Sequence, residues 1–315
     1  MRTILYNFLL LIIMICLNAC TKDIDLPIPE TTPKLVMNGL MEPDSIFILN
    51  LSSSVSAKSG NLPTYVNDAT VQIYENGTLL KTLKYRKNLF LNPWSTPIEG
   101  NYLDSSFTII PGHNYEVKAI KSGFADVTAT INMPLPLICD TIAVKEVVLS
   151  IPGGFGGSQT NPGKSVQFKI TDQDPSTKNY FLLRVRQFDS SFAGRINTGI
   201  GTNDLSLQDL NGLQGTTESA DVLYLNDDLF SNGQFLGEIH FVVYDKSGWG
   251  SFAGDIYYLE VLAISKEYYL YLQSVDSYNN SNGNPFAEPA QIVSNVNNGY
   301  GMLACQVMKR FRLPK

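Results

Sequence analysis

The sequence predicts a mainly β protein of two β-sandwich-like domains, the first immunoglobulin-like and the second carrying one packed α-helix. Three observations lead there. The chain has 315 residues, enough for about two domains at roughly 150 residues each. Its composition is 44% hydrophobic and only 17% charged, with 16 Tyr and 16 Phe, which excludes disordered, collagen-like and coiled-coil chains. Short segments alternate apolar and polar residues with period two, the pattern of strands with one buried face.

The first nineteen residues stand apart. Arg2 is followed by an apolar run from Ile4 to Leu17, too short for a comfortable membrane-spanning helix and ending in the small residue Ala19. Residues 1–19 are therefore expected to be a signal peptide. The ending Leu17-Asn18-Ala19-Cys20 resembles the lipobox of bacterial lipoproteins, in which the cysteine is acylated after cleavage. That resemblance makes Cys20 the lipidation site and the first residue of the mature chain. More than one acyl chain is needed for durable anchoring, and a multiply acylated cysteine meets that need.

Cleavage removes one basic and no acidic residue, leaving 22 basic against 29 acidic side chains, a net of −7. That balance argues against nucleic acid as a partner, because phosphate binding needs clustered Lys and Arg, and the tail from Lys309 to Lys315 is a short cluster in an acidic chain. The acidic stretch Lys22-Asp23-Ile24-Asp25 resembles the surface-export signal of Bacteroidota lipoproteins. The expected location is thus the outer membrane, lipid-anchored and displayed at the cell surface, with the periplasmic leaflet as the alternative.

Residues 20–33 contain Pro27, Pro29 and Pro33 and read as an extended tether. Residues 34–134 form the expected first sandwich. Tyr115, Val117 and Ala119 alternate with Glu116 and Lys118, and Val127, Ala129, Ile131 and Met133 alternate with Thr128, Thr130 and Asn132. Asn76-Gly77 between two such runs predicts a tight hairpin turn. Met133-Pro134-Leu135-Pro136 interrupts the pattern and places the division between domains.

The second domain, 135–315, repeats the alternation at Val166 to Ile170, Phe181 to Val185 and Ile239 to Val243. Residues 194–236 read as a long polar loop region. From Ser265 to Val275 the period changes: Ser265 can cap, Glu267 suits the positive end of a helix dipole, and Tyr268, Leu272 and Val275 share one helical stripe.

Residue types that carry chemistry are sparse. Two histidines, His113 and His240, lie far apart in sequence and do not supply a zinc ligand set. No Gly-x-Ser-x-Gly elbow accompanies either of them. Asp172-Gln173-Asp174 has the oxygen ligands calcium favours but lacks the distal Glu of a calcium loop, so turn capping is the expected role. Asp104 and Asp227-Asp228 are isolated acids. The Gly153 to Gly157 loop has no Gly-Lys-Ser/Thr ending and no following helix, and reads as a loop without a phosphate role. The tyrosines at 257, 258, 268, 269, 271 and 278 are read first as core packing, with a stacking platform for glycans as the alternative. No cofactor is expected and no catalytic residue is nominated.

Two cysteines remain beside Cys20 in the mature chain, Cys139 and Cys305. In an exported protein they can form a disulfide if their Cα atoms come within about 7 Å, or remain as two buried thiols. Asp44-Ser45-Ile46 and Asp140-Thr141-Ile142 resemble the acceptor of Bacteroidota O-glycosylation, which makes Ser45 and Thr141 candidate modification sites.

The most distinctive stretch is Gly283-Asn284-Pro285-Phe286-Ala287-Glu288-Pro289, continuing Ser294-Asn295-Val296-Asn297-Asn298-Gly299-Tyr300-Gly301. Together with Leu35-Val36-Met37-Asn38-Gly39, Asp68-Ala69-Thr70-Val71, Met133-Pro134 and Asp228-Leu229-Phe230, it resembles the Bacteroidota lipoprotein family called domain of unknown function 4249. The likeness spans nearly the whole mature chain. Tyr300 and Met302 stand where other apolar residues are expected. The resemblance implies a non-enzymatic outer-membrane lipoprotein, an accessory or ligand-capturing partner of a TonB-dependent receptor. A surface glycan-binding module or adhesin is the alternative. The 283–301 stretch is either a binding loop or a structural plug, since its prolines stiffen it and Phe286 is apolar.

Overall fold

Alternating burial builds the first half of the chain. In the computed structural model, which describes residues 31–56, 61–87, 101–152, 158–188, 195–213, 219–243, 256–281, 288 and 290–314, eight strands precede Pro134. They are β1 (Leu35–Met41), β2 (Ile48–Ser53), β3 (Thr64–Tyr65), β4 (Thr70–Glu75), β5 (Thr78–Arg86), β6 (Asn101–Leu103), β7 (Asn114–Ile120) and β8 (Val127–Asn132). Tyr115, Val117, Ala119, Val127, Ala129, Ile131 and Met133 are all buried, as their period-two spacing requires. Asn76 and Gly77 join β4 to β5 with φ of 47° and 79°, the two positive values a tight hairpin turn demands.

Strand order runs β1-β2-β6-β5-β4-β7-β8. β5 pairs with β4 through Leu83 and with β6 from Lys84 onward, so one long strand carries the chain from one pairing set to the next. The Tyr115 hydroxyl accepts a hydrogen bond from the Ile110 amide at 2.8 Å and donates to Glu75 Oε1 at 2.6 Å. A tyrosine bonded to backbone a few residues upstream is the corner device of immunoglobulin-like sandwiches.

After Pro134 come β9 (Ile138–Pro152), β10 (Ser158–Thr171), β11 (Tyr180–Phe188), β12 (Arg195–Thr198), β13 (Ile200–Gly201), β14 (Leu223–Asn226), β15 (Gln234–Val242), β16 (Ile256–Ile264) and β17 (Tyr300–Leu313). Strands β13-β15-β10-β9 form a four-stranded sheet. β12-β11-β16-β17 continue directly into β1, and with β14 paired to β11 and β3 to β2 this is a thirteen-stranded sheet whose pairing crosses Pro134. β17 lies parallel to β1 and antiparallel to β16, so the last strand joins both halves of the chain. β8, at the far end of the path, returns beside β17: the Cys305 thiol reaches the Asn132 carbonyl at 3.3 Å. Pro33–Ser54 and Pro63–Lys315 accordingly form one compact unit.

The two sheets of the second half pack through aromatics. Phe181 stacks on Phe230, Phe230 on Phe235, and Phe235 tilts against Phe168, with centroids 5.5, 5.8 and 6.0 Å apart. Burying a side chain of this size stabilises the fold by about 1.5–3 kcal/mol each. On the opposite face of β11 and β16, Leu182, Leu262 and Ile264 pack with Tyr224 and Tyr269.

Tyr269 belongs to α2 (Lys266–Ser281), the helix expected from Ser265 onward. Ser265 caps it, its hydroxyl accepting from the Tyr268 amide. The helix runs six residues past the expected Val275, and within that extension Ser277 and Ser281 return their hydroxyls to the Gln273 and Tyr278 carbonyls. A second helix, α1 (Leu205–Asn211), stands in the region read as polar loop. Asp204 caps its first amides and Gly212 ends it with φ of 65°, while Leu207 is fully buried. Its other supports are polar, Gln208 donating to the Thr202 carbonyl and Asn211 exchanging two bonds with the Tyr224 backbone, so no apolar stripe announced it.

Candidate functional site

The residues that carry the distinctive C-terminal motif are mostly engaged in closing the fold. Asn295 donates to the Leu303 carbonyl at 2.8 Å and accepts from the Leu303 amide at 2.9 Å, imitating a neighbouring strand. Asn38 accepts from the Met302 amide across 264 residues of chain. Asn297 bridges Thr128, and Asn298, with φ of 60°, donates to the Asp126 carbonyl. Gly301 has φ of 110°, and a Cβ there would fall on the Met37 carbonyl. These residues lock β17 against β1 and β8; Pro285 and Phe286, on which the plug reading turns, lie outside the described residues, as do all of residues 283–289 but the exposed Glu288.

The other nominated residues are scattered. Cys20 and the Gly153 to Gly157 loop lie outside the described residues. Ser45 is exposed in the turn after β1, beside Asp44 at φ of 60°, whereas Thr141 is half-buried within β9 opposite Phe168. Cys139 and Cys305 are both free thiols, and burial pushes each up to about 12. Thiols at that value are poor nucleophiles at neutral pH.

His113 Nδ1 lies 3.1 Å from Glu75 Oε1 of the large sheet, while His240 is on β15 of the four-stranded sheet. Asp172 accepts from the Asp174 amide and from Asn179 Nδ2, while Asp174 accepts from the Ser176 amide and hydroxyl. Asp227 accepts from the Asn179 amide, Asp228 pairs with Lys178, and Asp104 accepts from Ser106. Asp104, Asp172 and Asp174 therefore serve turns, as expected of Asx chemistry, whereas Asp227 and Asp228 tie their segment to Asn179 and Lys178. Among the described residues no three His, Cys, Asp or Glu side chains converge to hold a metal ion.

Asp172 and Asp174 do line a cleft with Pro134, Leu135, Pro136 and Asn179, floored by Phe181 and Ala263. Its volume is about 30 Å³, room for about two waters and far below the several hundred Å³ of an organic-ligand pocket. The tyrosines do not share one surface either. Tyr257 faces the interior against Phe241, Tyr258 lies on the other face with Arg310, and Tyr269 is buried between Tyr180 and Tyr224. Tyr278 alone among the six is substantially exposed, at 44%.

Two charged constellations escaped sequence reasoning. On the helix side of the large sheet, Glu260 of β16 is fully buried between its cross-strand neighbours Arg184 and Arg310. Arg184 Nε donates to Oε2 at 2.7 Å, Arg310 to Oε1 at 2.7 Å, and Arg186 Nε lies 3.3 Å from Oε2. Burial opposes ionisation, but the Arg184 hydrogen bond and the charges of all three guanidinium groups outweigh it and hold Glu260 below the usual carboxylate range. The second constellation lies on the outer face of the four-stranded sheet. Glu238 accepts from Gln167 Nε2 at 2.9 Å and from the Ser165 hydroxyl at 2.5 Å, bonds that lower its carboxyl. Ser165 has His240 opposite it on β15 and Lys145 opposite it on β9. The Ser165 proton is committed to Glu238, so this trio orients a carboxylate and does not activate a serine.

No curated protein matches this chain. A family model does: the domain of unknown function DUF4249 covers residues 21–311, and the chain belongs to that family.

Proposed function

We propose that the protein is a lipoprotein anchored through Cys20 in the outer membrane, displayed at the cell surface, and acting without catalysis of its own as an accessory or ligand-capturing partner of a TonB-dependent receptor. The observation that carries this reading is the order of segments: an apolar leader ending Leu17-Asn18-Ala19-Cys20, a proline-bearing tether, and a β body that starts at Leu35. Supporting it, Asp104, Asp172 and Asp174 serve turns, and the buried Glu260 carboxylate is held by arginines. A partner that works by binding needs a stable surface held at a fixed distance from the membrane, and a body on a short tether supplies one.

Labelling cells with radioactive palmitate tests the anchor: the protein is expected to take up label, and the Cys20→Ser variant to lose it. Label retained in the variant overturns the anchor. External protease is expected to digest the protein in intact cells, and protection places it on the inner leaflet instead. Crosslinking in intact membranes is expected to recover a TonB-dependent receptor, and repeated recovery of none overturns the partnership.

A further inference from the structure

The outer face of the large sheet carries a row of four directly opposed residues at one end. Tyr300 on β17 lies opposite Val36 on β1, Val36 opposite Ser52 on β2, and Ser52 opposite Tyr65 on β3. Directly opposed residues project to the same side of a sheet, so the two tyrosines bracket one face. Each is 47% exposed. Beside Tyr300, the segment before β17 presents Ile292 and Val293, 44% and 36% exposed, held there by the Val293 amide on Ser274 and by Ser294 on the Gly301 carbonyl. Lys34 sets its ammonium 5.2 Å above the Tyr300 ring. Farther along the same face the next row is polar, with Asn38 exposed opposite Asn50.

The apolar end of this face is also where the tether enters, since Lys34 immediately follows residues 20–33. Thirteen residues from Thr21 to Pro33 reach at most about 45 Å when fully extended, and less in practice. The tyrosine row therefore lies at the root of the shortest path to the anchor. Half-exposed tyrosines with aliphatic neighbours and a lysine suit the bilayer interface, where a ring takes the apolar side and a hydroxyl or ammonium the wet side. A modest apolar area suffices, because a short tether raises the effective concentration of bilayer beside this face to the millimolar range.

We propose that this face, comprising Tyr65, Val36, Tyr300, Ile292, Val293 and Lys34, rests on the lipid headgroup layer of the membrane that holds the anchor, fixing the body's orientation. The inference rests on the anchored reading above. The test is made independent of cellular acylation by coupling the mature chain through Cys20 to a maleimide lipid in phosphatidylethanolamine/phosphatidylglycerol vesicles; buried Cys139 and Cys305 do not compete.

With Trp94 and Trp249 replaced by phenylalanine, Tyr300→Trp and Tyr65→Trp each report through quenching by lipids spin-labelled near the headgroup. Leu236→Trp, 65% exposed on β15 of the other sheet, serves as the control. The indoles at 300 and 65 are expected to shift to the blue and lose emission on coupling, while the one at 236 does neither. Hydrogen exchange on the chain without tryptophan substitutions is expected to slow at residues 34–36, 64–66 and 292–301 on coupling, and this reading survives if a tryptophan variant fails to fold. Equal quenching at 300 and 236 with no protected segment overturns the docking. If crosslinking of the coupled chain shows this face buried against a second protein while lipid quenching is absent, the face is a protein interface and the docking is likewise overturned. Absence of palmitate label in cells refutes the anchor alone, and quenching of the coupled chain still establishes the docking.

Discussion

β17 is held at its two ends by opposite kinds of chemistry. At its start, neutral groups lock it to β1: Asn38 and Asn295 bond backbone amides of Met302 and Leu303, and Gly301 permits a backbone approach that no side chain tolerates. Toward its end, charge locks it to β16, with the partly exposed Arg310 and Arg184 meeting the fully buried Glu260. Neutral amide locks are indifferent to pH and salt. A buried ion pair depends on the ionised carboxylate and is expensive to break from one side only.

The largest effect is expected from Glu260→Gln, which leaves three guanidinium groups around a neutral amide. Loss of about 3–5 kcal/mol in urea unfolding is expected, as for a buried pair stripped of one partner. A loss below about 1 kcal/mol would show that the arginines escape to solvent. Gly301→Ala comes next, at about 2–4 kcal/mol, because positive φ and a clash with the Met37 carbonyl add together. Unchanged stability there would mean that β1 and β17 separate without cost.

Acid sharpens the contrast. Glu260 has its carboxyl lowered in the folded state, so its contribution is fully present above the unfolded value of about 4.3 and is lost as pH falls through the lower folded value. Between pH 6 and pH 3 the stability difference between the wild type and Glu260→Gln should therefore shrink. Asn295→Ala should cost about 1–2 kcal/mol by losing two bonds to Leu303, equally at both pH values. Smallest of all is the response of Cys139 and Cys305 to a thiol reagent at pH 8: neither should react in the folded protein, and both should react in urea.

The neutral lock was partly legible and the charged one was not. Ser294 to Gly301 is rich in turn residues, which marks it as irregular backbone, although its partners Asn38 and Met37 lie more than 250 residues away. Glu260 sits in Tyr-Leu-Glu-Val-Leu, where a carboxylate on the alternate face of a strand reads as solvent-exposed. It is buried because α2 and two arginine-bearing strands happen to flank it, and strand neighbours are a property of topology. The same holds for Glu238, whose partners Ser165 and Gln167 come from another strand.

What the sequence by itself determined is local: which residues alternate into strands, the Asn76-Gly77 turn, the Ser265 cap, and a composition that suits a mainly β fold. Periodicity and turn chemistry act over a few residues, so one chain suffices to read them. What only the tertiary structure decided is which strands are neighbours. Pairing is set by the burial of whole faces across the molecule, so the union of β1 with β17, the sheet that crosses Pro134 and the carboxylate enclosed by arginines became visible only when the chain was folded.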